Sequence, residues 1–145
     1  MIRIITVLFL FLVSQFTDAQ PQTTDSATAE GITITVKIPN LTSDKGVVRI
    51  ALYDKANFMM QPLDGKISKI KDKSTEVQFE NVKPGEYAII SYHDGNNNDK
   101  FDMDEQNMPL EDWGMSNNPP HMEPPTFDAA KFTVTDENME ITIKY

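Results

Sequence analysis

From residue 31 onward, apolar and polar positions alternate along the chain. Ile32, Ile34, Val36 and Ile38 are interleaved with Thr33, Thr35 and Lys37, the pattern of a strand with one face buried. Residues 40–46 (NLTSDKG) carry turn chemistry, and Val48, Ile50 and Leu52 then resume the alternation as far as Tyr53. Residues 54–60 (DKANFMM) fit either a single helical turn or a loop with Phe58 tucked inward. A third strand is expected over residues 75–79, with Val77 and Phe79 on one face. The turn after it, residues 81–85 (NVKPG), should use Pro84 to fix one φ and Gly85 to take a left-handed conformation. Residues 86–93 (EYAIISYH) are apolar on both faces at Ala88, Ile89 and Ile90 and predict a central strand. Two last strands, residues 130–135 and 139–145, are expected to form a hairpin through the polar turn Asp136-Glu137-Asn138.

No segment carries a sustained helical stripe, and no internal repeat is visible. The expected fold is all-β, an antiparallel β-sandwich of immunoglobulin or transthyretin type with about six to seven strands. One segment breaks the rhythm. Residues 94–128 are too long for an ordinary hairpin loop, and loops of that length are usually functional or disordered.

The amino-terminal residues follow a different rule. Arg3 gives a positive start, residues 4–13 (IITVLFLFLV) form an apolar run with one Thr, and small residues lead to Ala19. This three-part pattern is that of a secretory signal peptide over residues 1–19. A membrane anchor would need about 20 apolar residues, which this run does not supply. Residues 20–30 (QPQTTDSATAE) hold no large apolar side chain and read as a flexible lead into a domain spanning residues 31–145. The expected product is exported, periplasmic or extracellular, with no membrane attachment after cleavage.

Composition narrows the chemistry. The 145 residues carry a formal net charge of −9 and no Cys. Removing residues 1–19 takes away Arg3 and Asp18 together and leaves that charge unchanged. An acidic chain without a basic run is a poor ligand for phosphate backbones, so nucleic-acid binding is not expected. Without Cys there are no disulfides, thiolate metal sites or cysteine nucleophiles.

The strongest chemical pattern starts at the end of the central strand. Residues 94–105 (DGNNNDKFDMDE) align with the twelve-position calcium loop. Asp94 falls at position 1, Asn96 at 3, Asn98 at 5, Lys100 at 7 through its carbonyl, Asp102 at 9 and Glu105 at 12. Calcium prefers six to eight hard oxygen ligands, and alternate residues of a curled loop can aim oxygens at one point. Phe101 at position 8 should pack inward and orient the loop. Asp99 stands where the pattern wants Gly, a strained but accessible choice. Between residues 94 and 112 seven acids face Lys100 alone, a local charge of −6 that calls for a counter-ion. The loop leaves a strand and has no flanking helices, so the expected role of calcium is structural. The alternative is a solvated Asn/Asp-rich turn.

Catalytic candidates are few. His93 adjoins Asp94, and a His–carboxylate pair could orient an imidazole for base catalysis in a small exported hydrolase or metal-dependent enzyme. Consecutive strand residues point to opposite faces, however. No nucleophile motif accompanies His93 or His121, so the chain is expected not to be an enzyme. Residues 113–125 (WGMSNNPPHMEPP) set one Trp among amides and prolines. Trp113, Asn117 and Asn118 could present a surface to a carbohydrate or protein ligand. Alternatively, Trp113 caps one end of the sandwich.

The combination FENVKPGEYAIISYHDGNNNDKFD, WGMSNN and PPTFDAAKF resembles the bacterial family catalogued as domain of unknown function 2141. Members pair a PG-Y strand ending in HD with an Asn/Asp-rich loop, a YGFSNN-like stretch and a PP-F segment. The resemblance spans about Ile32 to Tyr145. It implies an exported β-domain with no assigned activity, and it brings no catalytic residue with it.

Overall fold

The computed structural model describes residues 31–120 and 124–145. The leader and lead-in expected over residues 1–30 lie outside the described residues, as does His121. Eight strands and one short helix follow in order: β1 (Ile32–Ile38), β2 (Val47–Tyr53), β3 (Asp64–Lys69), β4 (Thr75–Val82), β5 (Gly85–Asp94), β6 (Trp113–Met115), α1 (Phe127–Ala130), β7 (Phe132–Val134) and β8 (Met139–Thr142). They form two sheets. One has the order β4-β1-β8; the other runs β3-β2-β5-β6, with β7 also pairing β5. The architecture is an all-β sandwich, as the alternation predicts.

The strand β1 shows why. Its burial alternates at every residue, with Ile32, Ile34, Val36 and Ile38 inward. They meet Val48, Ile50 and Leu52 of β2, Ile89 of β5 and Phe79 of β4 in one core. The strand β5 is central as expected, paired along β2 on one side and with both β6 and β7 on the other. Its Ala88 and Ile90 serve a second, smaller apolar cluster on the outer face of the larger sheet. There Phe58 is indeed tucked in, edge-on to Tyr53 at 5.8 Å and to Phe127 of α1 at 5.7 Å. Residues 55–60 are turns, with Asp54 Oδ1 accepting from the backbone and side-chain nitrogens of Asn57, each at 2.9 Å.

Three local expectations are corrected. The last two strands do not form a hairpin: β7 pairs antiparallel with β5, whereas β8 runs parallel to β1 in the opposite sheet. Their connection crosses the sandwich, because Val134 and Ile141 both enter the core from different layers. Asn138 holds that crossing by accepting from Thr33 N at 2.8 Å. The left-handed residue of the turn before β5 is Asn81 (φ 58°), not Gly85. Finally, β3 is a strand that the alternation did not reveal; its one large apolar residue, Ile67, faces solvent.

Phe79 is fully buried against both layers. Phe79→Ala should cost about 3–5 kcal/mol, read as a lower midpoint in urea unfolding with an unchanged slope.

Candidate functional site

Antiparallel pairing places directly opposed residues on one face. Ser91 and His93 of β5 oppose Ile50 and Val48 of β2 and therefore face the sandwich interior. Tyr92 and Asp94 face outward with Arg49, which opposes Tyr92. The imidazole of His93 is buried, and its Nε2 donates to the carbonyl of Lys45 at 2.7 Å. His93 and Asp94 thus diverge, and the base–carboxylate pair considered for a hydrolase does not form.

Asp94 is fully buried. Its Oδ2 accepts from Arg49 Nε at 2.8 Å and from Asp99 N at 3.1 Å, and its Oδ1 accepts from Asn98 N at 3.1 Å. Burial pushes this carboxyl up, but Arg49 and the two amides outweigh it and hold Asp94 below its usual range. The Arg49 guanidinium, raised in turn chiefly by Asp94, also pairs with Asp99. Gly46 makes this end of β5 possible. It has φ +75°, and a Cβ there would lie 2.0 Å from the carbonyl oxygen of Asp94.

Beyond Asp94 the chain winds through Asx turns. Asn96 Oδ1 accepts from Asn98 N at 3.0 Å, and Asn98 Oδ1 accepts from Lys100 N at 2.9 Å. Asn97 (φ 57°) and Asp99 (φ 66°) are left-handed, so the residue at the pattern's Gly position adopts the conformation that the pattern requires. The side chains of Asn96, Asn98 and Asp102 come together: Asn96 Nδ2 lies 2.7 Å from Asp102 Oδ2, and Asn98 Nδ2 lies 3.0 and 2.8 Å from its two oxygens. Glu105 takes no part in these contacts and lies exposed in a turn capped by Asp104. Glu111 stands behind Asp102 instead. Its Oε2 accepts from Asp102 N at 3.2 Å, while its Oε1 is buried without a hydrogen-bond partner. Among the described residues, no three carboxylate or imidazole side chains form a group able to hold a metal by themselves.

Sequence reasoning missed Arg49 and Glu111. A signal existed for Arg49, a lone charge in the apolar strand VVRIALY, but its partner becomes visible only once the β2–β5 register is known. Glu111 approaches through the return of the long loop, which no periodicity encodes.

The rim of the loop is aromatic on one side. Phe101 packs on Tyr92 with centroids 5.3 Å apart and edge-on to Trp113 at 6.5 Å, so position 8 does turn inward. Asn117 and Asn118 lie past the other end of β6, and their amides are engaged. Asn117 Nδ2 donates to Lys131 O at 2.6 Å; Asn118 donates to Thr142 O at 2.8 Å and accepts from Lys144 N at 2.7 Å. Trp113 packs against the apolar cluster that includes Met115, Phe127 and Ala130. On the other side of the loop is a polar cleft of ≈ 400 Å³ lined by Thr42, His93, Asn96, Asp102, Glu111 and Asp112, among others.

Fold and loop together define an all-β sandwich with a long acidic excursion between two neighbouring strands of one sheet. The family described as an uncharacterized protein conserved in bacteria (DUF2141) matches residues 36–142, and the chain belongs to it. No curated protein and no solved structure matches the chain.

Removing Arg49 leaves a buried carboxylate without its counter-charge. Arg49→Met should cost about 3–5 kcal/mol at neutral pH. The folded pKa of Asp94 lies below its unfolded value, so in the native chain its contribution is present above about pH 4 and is lost as pH falls through the folded value. In Arg49→Met protonation relieves the stranded charge, so the deficit should shrink as pH falls from 7 to 3. Urea unfolding at the two pH values tests this, and a deficit that does not change with pH would contradict the assignment.

Proposed function

We propose that this chain is an exported, non-catalytic β-sandwich module whose acidic loop binds calcium as a structural ion and whose rim is a contact surface for a protein or carbohydrate ligand. The observation that carries the reading is the convergence of Asn96 and Asn98 on Asp102, the side chains at positions 3, 5 and 9 of the loop pattern, both amides lying within hydrogen-bonding distance of the carboxylate. Hard oxygen donors on alternate residues of one tight loop suit calcium. Two further features support it. Arg49 offsets only one of the loop's negative charges, and Glu111 holds a buried oxygen with no partner directly behind Asp102.

In this reading Asn96, Asn98, Asp102 and the carbonyl of Lys100 hold the ion, with Glu111 closing the site where the pattern would use Glu105. Asp94, committed to Arg49, anchors the loop. The polar cleft beside His93 and the Phe101–Trp113 edge form the rim.

Thermal unfolding of the exported protein in excess EDTA, calcium or magnesium tests the ion. Calcium at about 100 times its dissociation constant should add roughly 2.7 kcal/mol, several degrees in a domain of this size. Magnesium should give much less. Asp102→Ala should abolish the calcium increment, whereas Asp94→Ala should lower Tm in EDTA as well, because it strands Arg49. Coincident melts of metal-free protein in EDTA and calcium would overturn the reading.

Export has its own test. Expressed with its own leader and recovered after secretion, the protein should have an intact mass that begins at Gln20. An uncleaved chain retained in the cytoplasm would refute it.

A further inference from the structure

Three loops share one end of the sandwich. Val47 at the start of β2 pairs with Lys69 at the end of β3 on one side and with Asp94 at the end of β5 on the other. The β1–β2 loop, the β3–β4 turn and the acidic loop therefore emerge together. They are also tied together. Leu41 N donates to Lys73 O at 2.9 Å, Lys73 N to Asp44 Oδ1 at 2.6 Å, His93 N to Asp112 O at 2.8 Å, and Thr42 Oγ1 to Asp112 Oδ2 at 2.8 Å. The middle loop is thus bonded to both outer ones, and the end is a preorganised surface.

Its charge is divided. On the β3–β4 side Lys69, Lys71 and Lys73 are exposed, with Asp72 the one acid among them. On the other side the acidic loop carries −6, which Arg49, paired with Asp94 and Asp99, reduces to −5. Two strand spacings, about 10 Å, separate Lys69 from Asp94, and the β1–β2 loop stands between the two fields. Among the described residues no ion pair joins them: Lys69, Lys71 and Lys73 make none, although lysines elsewhere in the chain do. Both halves also expose apolar side chains that no core uses. Met103, Met108 and Leu110 are 50%, 61% and 66% exposed on the acidic half, and Ile67 is 63% exposed beside the basic one. The acidic half is itself firmly built, with Leu110 N bonded to Asp102 O at 2.9 Å and Asp104 N to Met108 O at 2.9 Å.

We infer that this end is a self-complementary docking surface and that its occupant is a second copy of the same chain. Because the two fields lie side by side on one end, a single two-fold rotation sets the basic half of each copy against the acidic half of the other. Both charge fields are satisfied at once, and the assembly closes as an isologous dimer. A foreign cation-rich or anion-rich partner would satisfy only one half. The apolar residues of the acidic half are carried into the contact with it. The surface is small, which places the dimer among weak, salt-sensitive associations. The inference does not rest on the calcium reading, and its test is carried out in EDTA.

Sedimentation velocity of the exported protein from about 5 to 500 µM, a range that reveals small interfaces, should show a monomer–dimer equilibrium weakened by salt. Two exposed variants probe the two halves: Lys69→Glu/Lys71→Glu/Lys73→Glu, and Glu105→Lys/Gln106→Lys. Each alone should weaken dimerisation at least tenfold while leaving Tm near that of the parent. Two results would overturn the inference: a parent chain monomeric throughout, including one shifted only by added polylysine; or a dimer indifferent to both charge variants.

Discussion

A carboxylate with no access to water and one guanidinium to answer it fix the end of the central strand. Asp94 could not remain charged in that position without Arg49 and the two loop amides that it accepts from. The pair joins neighbouring strands, sets where β5 stops, and turns the first residues of the acidic loop back on themselves. Everything described at that end follows from this: the left-handed Asp99 held by the same guanidinium, the close approach at Gly46, and the meeting of Asn96, Asn98 and Asp102. The arrangement also divides labour within the twelve-residue pattern. Its first residue anchors the loop, and its middle residues are left to face outward.

Strands with one buried face were legible because burial imposes a period of two on the residues themselves. In β1 every inward position is apolar and every outward one is Thr or Lys. The strand β3 lacks that imprint: it is an edge strand, with Ile67 exposed and lysines at two of its six positions. The turn Asp136-Glu137-Asn138 illustrates a deeper limit. A polar turn between two apolar runs is the same local signal whether the runs lie side by side or face each other across a core. Only the partners decide, and for β8 the partner is β1, about a hundred residues away.

The loop pattern was legible in its spacing and in the inward turn of Phe101, less so in its closure. Glu105 occupies the right number but lies in a separate turn, whereas Glu111 returns to Asp102 from farther along the chain. Likewise, WGMSNN combines two roles. Trp113 belongs to the aromatic edge of the loop, while Ser116, Asn117 and Asn118 splice β6 to the α1–β7 segment and to residues 142–144. Gly114 belongs to that splice too, since a Cβ there would lie 2.7 Å from Ile143. In three dimensions the amides of this run are therefore committed to holding neighbouring segments together.

The parallel seam between β1 and β8 has a temporal meaning. Ribosomes release a chain from its amino terminus, yet the first strand of this domain stays without one of its two neighbours until β8, about a hundred residues later, has emerged. The smaller sheet cannot be completed stepwise, and contacts so distant in sequence close slowly. A nascent chain of this design keeps its smaller sheet open across that interval, and β8 is the latch that closes it.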